Sequence, residues 1–410
     1  MWYKSTMKKL HLNLIPLWFL ILVFFFYSGG EGFPQEEKRT SPFIFIPDLR
    51  IWGLDIDVGY RGVRFFAGVD TILWVSAGGG YERKTFFHNP DGTIYNGGDP
   101  QIDPEKDPFF YRANVQWAAG ISQGIISRGL LPQRLLPLGL SPSEPSLTRE
   151  NARKGENVLE AFIFYKGRFD MHLHDRENPD QLIFRSQTIE DKDGVFQNSF
   201  LGGFTLDNIK EHRRSKVKEG YFAEISGEWG PEWFGNNIFG KADFMRFNLS
   251  MKGFIPLLDL YPENFMNILS IYAGAFISLD YFSGNSVPLN VRQTLGGRDP
   301  RTGLGGAVRG IDDGRFDAPF KVVGNLELRV NLPALIWKDL VPGLLLYFDS
   351  GYYNELNGSV LGFLFSAGGG LYLDFFNISE LIVYTQYFLN GTNVNEKSFT
   401  PFRLGFGFHF

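Results

Sequence analysis

Four groupings of residues in this chain have types and spacings that could do chemistry. Gly120-Ile121-Ser122-Gln123-Gly124 has the spacing of a hydrolase nucleophile elbow, in which a strained strand-to-helix turn exposes the serine. It lies inside the apolar run Val115 to Ile126 with no helical pattern after it, so coincidence is the better account. His172 and His174 share one face of a strand beside Asp175, enough for a weak metal site, although two polar rim or lumen residues are the commoner explanation. Asp91 to Asp107 interleaves acids with glycines, a composition that can bind calcium, but it lacks the fixed spacing of a calcium loop and reads as a solvated loop. The fourth grouping centres on an arginine. Val308-Arg309-Gly310 stands in a glycine-rich run opened by Leu295-Gly296-Gly297, and the acids Glu327 and Asp349 follow on the next two strand-like segments. A guanidinium carries five donors and, once out of water, needs acceptors for them.

Those acids are placed by alternation. Phe320, Val322, Leu326, Leu328, Val330 and Leu332 fall on one face of a strand, against Lys321, Asn325, Glu327, Arg329 and Asn331 on the other. Gly343 to Gly351 repeats the pattern, with Leu344, Leu346 and Phe348 opposite Leu345, Tyr347 and Asp349. At the C-terminus Phe402, Leu404, Phe406, Phe408 and Phe410 alternate with Arg403, Gly405, Gly407 and His409. In water such a strand is an aggregation hazard; in lipid it is ordinary. Further strands read at Leu361 to Leu373, Leu381 to Leu389, Asn267 to Phe282, Ala242 to Phe254, Gly220 to Trp229 and Ser199 to Leu206. In the first third they read at Ile51 to Tyr60, Val63 to Ala67, Thr71 to Tyr81, Phe109 to Ser127 and Val158 to His172, interrupted by Asn89 to Asp107 and the proline-rich Leu131 to Glu150.

Composition agrees with a wall of short strands. The 410 residues include 42 Phe and 48 Gly, and the mean hydropathy is nearly neutral, as it is when alternate residues face lipid and lumen. A net charge of −5 gives no nucleic-acid footprint, and the absence of cysteine excludes disulfides and thiolate metal sites. Lys4, Lys8 and Lys9, then the apolar run Leu14 to Tyr27, then Ser28-Gly29-Gly30, follow the order of an export signal. With Pro16 inside it, the run falls short of the ~20 residues of a spanning helix.

Taken together, these segments resemble the Omp85 (bacterial surface antigen, BamA-type) superfamily of outer-membrane barrels. The resemblance rests on the glycine-flanked Val308-Arg309-Gly310 and on Tyr347-Phe348-Asp349-Ser350-Gly351, which fits the family's strand motif of aromatic, any residue, acid, any residue, glycine. Thr205-Leu206-Asp207-Asn208 before Gly220-Tyr221 resembles a third element, although Val217-Lys218-Glu219 stands where the family usually has a proline before the glycine. Ile311 replaces a frequent aromatic, and Arg298 to Gly303 lengthens the loop. Motifs carry the resemblance over about Phe200 to Phe410, and architecture alone carries the rest.

The resemblance implies an all-β fold: a single transmembrane antiparallel barrel, for which the strand pattern suggests about 14 to 16 strands and the family favours 16. A loop between strands 11 and 12 would fold inward, and Arg309 would bridge Glu327 and Asp349, with Tyr347 and Gly351 completing the motif. Phe406, Phe408 and Phe410 look like the signal read by the barrel-assembly machinery. Residues 1-30 are expected to form the signal peptide, 31-42 a short periplasmic segment, and 43-410 the barrel. Glu31 to Ser41 leaves no room for the periplasmic POTRA domains of assembly-type relatives, so a member without them, served by a separate periplasmic partner, is expected. The implied function is non-enzymatic, without cofactor or metal: insertion or translocation of protein or lipid at the bacterial outer membrane. A plugged scaffold that binds a partner through its loops or rim is the second reading, and a passive pore the third.

Overall fold

A strictly antiparallel meander follows from the alternating segments. The computed structural model describes residues 43–50, 53–63, 65–66, 69–85, 109–127, 157–173, 194–211, 216–260, 269–298, 308–309, 318–335, 340–354, 360–375, 379–389 and 399–408. They form β1 (Phe43–Arg50), β2 (Gly53–Val63), β3 (Thr71–Thr85), β4 (Phe109–Ser127), β5 (Asn157–Leu173), β6 (Gly194–Asp207), β7 (Lys210–Glu211), β8 (Lys218–Gly230), β9 (Asp243–Leu260) and β10 (Leu269–Ser286). A single helical turn, α1 (Leu289–Gln293), precedes β11 (Phe320–Asn331), β12 (Leu340–Asn354), β13 (Val360–Phe375), β14 (Ser379–Phe388) and β15 (Phe399–Phe408). Each long strand pairs with the next in sequence, and the two-residue β7 hangs on β8.

The faces of this sheet are those of a soluble protein turned inside out. Glu160, Asp280 and Asp349 are 0% exposed, whereas Leu346 is 59%, Phe363 61% and Leu404 64% exposed. On β12 burial alternates residue by residue from Val341 onward, because successive side chains point to opposite faces. Backbone groups are satisfied by neighbouring strands, apolar side chains face outward, and Lys166–Glu228, Arg168–Asp170 and Arg246–Asp280 pair on the inner face. This is the arrangement a hydrocarbon surround demands, and the fold is a transmembrane β-barrel.

The described residues give fourteen long strands, where the resemblance favoured 16 and placed the inward loop between strands 11 and 12; here that loop joins β10 to β11 in the numbering of the described strands. β1 opens the expected barrel where no strand bounds were read, and of Val63 to Ala67 the described residues show β2 ending at Val63 and a bend at Phe65–Phe66. Residues 1–42, with the expected signal and periplasmic segment, lie outside the described residues, as do Asp91 to Asp107, His174, Asp175, Gly310, Ile311 and Phe410. No ladder joining β1 to β15 is found among the described residues.

Candidate functional site

The connection from β10 to β11 brings glycines and arginines to a charged wall. Its root is fixed first. Arg246 on β9 grips Asp280 on β10 with Nε at 3.0 Å, and Lys321 on β11 reaches the same carboxylate at 3.2 Å. Lys321 Nζ also donates to the carbonyl of Arg292 at 2.9 Å, which suits the negative end of α1. The amide of Gly296 donates to Asp280 Oδ1 at 2.8 Å; a Cβ here would stand 2.7 Å from both Arg246 Nε and Asp280 Oδ1. Only glycine lets the backbone approach this ion pair so closely.

Arg309 is seated next. Its Nε and backbone amide donate to Asp349 Oδ2 at 2.8 and 2.9 Å, Nη2 donates to Asp349 Oδ1 at 2.8 Å, and Nη1 donates to Glu327 Oε1 at 2.7 Å. The guanidinium carbon lies 3.8 Å from the centre of the Tyr347 ring. Register explains the fit: Asn325 faces Asp349 and Glu327 faces Tyr347 across β11 and β12, so the two acids lie on a diagonal that one planar fork can span. Asn325 steadies Asp349 at 2.8 Å, and Arg329 holds the other oxygen of Glu327 at 2.9 Å while reaching Glu380 at 2.9 Å. Burial alone would depress the Arg309 pKa, but Asp349 and Glu327 outweigh it and hold it above its ordinary value. The latch stays charged.

Val308 locks in beside it. It is fully buried with Ala318, Val323, Tyr353, Leu364 and Phe388, and a Cβ on Gly351 would meet its Cγ2 at 2.6 Å. Gly351 is thus the hollow in β12 that admits the loop. The structure brings Val308, Arg309, Glu327, Tyr347, Asp349 and Gly351 into one site. Phe406 and Phe408 lie far along the chain on β15, opposite Leu381 and Ser379 of β14.

The residue that sequence reading missed is Arg298. It is carried inward by the same loop but turns to another part of the wall, donating from Nη1 to Glu160 Oε2 on β5 at 2.8 Å and from its amide to Glu224 Oε1 on β8 at 2.8 Å. Its guanidinium carbon lies 5.3 Å from the rings of Phe162 and Phe164 and 5.8 Å from Trp74 on β3. The one available signal was the run Glu160, Phe162, Phe164 on the inner face of β5.

The other sequence candidates do not assemble. Ser122 is buried in the middle of β4, which continues as strand through Ser127. Among the described residues no three His, Cys, Asp or Glu side chains converge as a metal site would require. Asp207, Asn208 and Gly220 do meet at a strand end: the Ile209 amide donates to Asp207 Oδ1 and the Asn208 amide to the Tyr221 carbonyl, both at 2.8 Å.

No protein-family model and no curated protein matches the chain. Solved structures do. It is similar to BamA from Haemophilus ducreyi lacking POTRA domains 1-3, with a TM-score of 0.46 and 12% identity, over 87% of this chain and 62% of that one. It is likewise similar to CdiB from Escherichia coli, with a TM-score of 0.46 and 11% identity, over 92% of this chain and 63% of that one. The chain spans less than two thirds of either structure.

Proposed function

We propose that this chain is an Omp85-type barrel of the bacterial outer membrane, without enzymatic activity, that passes or inserts protein or lipid while its internal loop controls the lumen. The observation that carries this reading is the seat of Arg309. Arg309 joins the Tyr347-to-Gly351 motif through three hydrogen bonds to Asp349 and a contact with the Tyr347 ring, and a fourth hydrogen bond ties it to Glu327, inside a lipid-facing barrel. A loop locked by charge can be unlocked by charge, whereas a purely structural plug is served as well by apolar packing.

Site-specific photo-crosslinkers at the exposed Phe402 and Leu404 of β15 test the reading in growing cells. Adducts with unfolded barrel precursors or with lipid are expected. A barrel that reaches the membrane, folds, and captures neither refutes insertion and leaves the scaffold reading. Bilayer conductance completes the test: large steady channels from the unmodified chain would refute a loop-closed lumen.

A further inference from the structure

The pocket around Arg298 is built by the barrel and not by the loop that fills it. β5 contributes Glu160, Phe162 and Phe164 from alternate positions of its inner face, and β3 contributes Trp74. The three rings form, with Ile72 and Leu201, a buried cluster of their own. At its edge Glu160, 0% exposed, takes a hydrogen bond from Asn157 Nδ2 at 3.0 Å and the ion pair from Arg298 at 2.8 Å. Among the described residues Arg298 is the one cation paired with Glu160. Ring faces attract a planar, weakly hydrated cation, and a fixed carboxylate at the rim takes its N–H groups, so the pocket suits a guanidinium better than an ammonium.

We propose that Trp74, Phe162, Phe164 and Glu160 form a guanidinium-binding site, filled at rest by Arg298 and taken by an arginine side chain of a peptide in the lumen when the loop withdraws. The exchange follows from charge. If Arg298 left with nothing in its place, Glu160 would lose its counter-charge in a buried wall. At the other latch Glu327 keeps Arg329 at 2.9 Å, whereas Asp349, like Glu160, has its one paired cation among the described residues on the loop. An incoming arginine at the Glu160 pocket therefore lowers the barrier to withdrawal of Arg298. The site itself stands on geometry alone; the exchange rests on the loop-controlled passage proposed above.

The test uses the full chain in detergent micelles, with Arg298→Ala vacating the pocket and heat-modifiable electrophoretic mobility confirming the folded barrel. Titration with ethylguanidinium, followed by tryptophan fluorescence, is expected to saturate in Arg298→Ala, and the signal is expected to vanish in Arg298→Ala/Trp74→Phe. Ethylammonium should bind at least ten-fold more weakly, and Arg298→Ala/Glu160→Gln should lose at least ten-fold in guanidinium affinity. No saturable response in a folded Arg298→Ala barrel, or equal affinity with and without Glu160, overturns the site. For the exchange, a short arginine-rich peptide is expected to raise the bilayer conductance of the unmodified chain more than its lysine counterpart. Equal effects, or none, overturn the exchange while leaving the site intact. The crosslinking result at β15 is read separately, so failure of the passage reading and failure of this one are distinguishable.

Discussion

The two arginines of one loop are held by opposite strategies. Arg309 meets two carboxylates and a phenol ring, and its acids are themselves braced by Asn325 and Arg329. Arg298 meets three aromatic ring faces and, through its side chain, one carboxylate. In the first seat Glu327 has a second cation in Arg329, whereas Asp349 there and Glu160 in the second each pair with the loop arginine alone among the described residues. Directional ion pairs define where a loop must stop, while an aromatic surround tolerates small shifts of the cation within it. The loop is thus registered at β11–β12 and braced at β3, β5 and β8.

The contrast can be broken most sharply at Asp349. Asp349→Ala strips Arg309 of three of its four hydrogen bonds and leaves a buried charge half paired, so a destabilisation of about 3–5 kcal/mol is expected in denaturant unfolding of the folded barrel, with a rise in conductance. Arg298→Ala removes one charge-assisted bond from the side chain and the ring contacts, and about 1.5–3 kcal/mol should follow in the same assay. Combining Arg298→Ala with Arg309→Ala sharpens the comparison: if the seats hold one loop cooperatively, the double loss falls short of the sum of the singles. Gly351→Ala drives a methyl into Val308 Cγ2, at 2.6 Å, and about 1–3 kcal/mol of overpacking is expected, partly restored by Val308→Ala. Trp74→Leu keeps an apolar wall but deletes one ring face from a buried cluster, and about 1–2 kcal/mol is the smallest expected effect.

Much of the Arg309 seat was legible because its parts are local. Glu327 and Asp349 lie on strands with strict alternation, and a period of two assigns faces without knowledge of the partner strand. The Arg298 seat was not. Its acids lie 138 and 74 residues away, on β5 and β8, and nothing near Arg298 in the sequence points to them. β1 escaped for a different reason: Pro47 and Asp48 interrupt its apolar run, residues that strand patterns count against, yet the ladder to β2 continues through both. The bend at Phe65–Phe66 was read as strand because two aromatic residues carry a strand's composition without its pairing.

Gly351 has a consequence for how the wall itself is aligned. It sits opposite Val323, two places along from Asp349, which sits opposite Asn325. Should β12 slide by two residues against β11, Tyr347 or Gly351 would stand where Asp349 belongs, and Asp349 or Tyr353 where Gly351 belongs; a slide by one would turn the whole inner face outward. In any of these misalignments the arginine loses its carboxylate and the valine loses its hollow. The docked loop is therefore a gauge block for the β11–β12 seam: it fits one alignment and rejects its neighbours, so a barrel whose loop has gone home carries proof that this seam was zipped correctly.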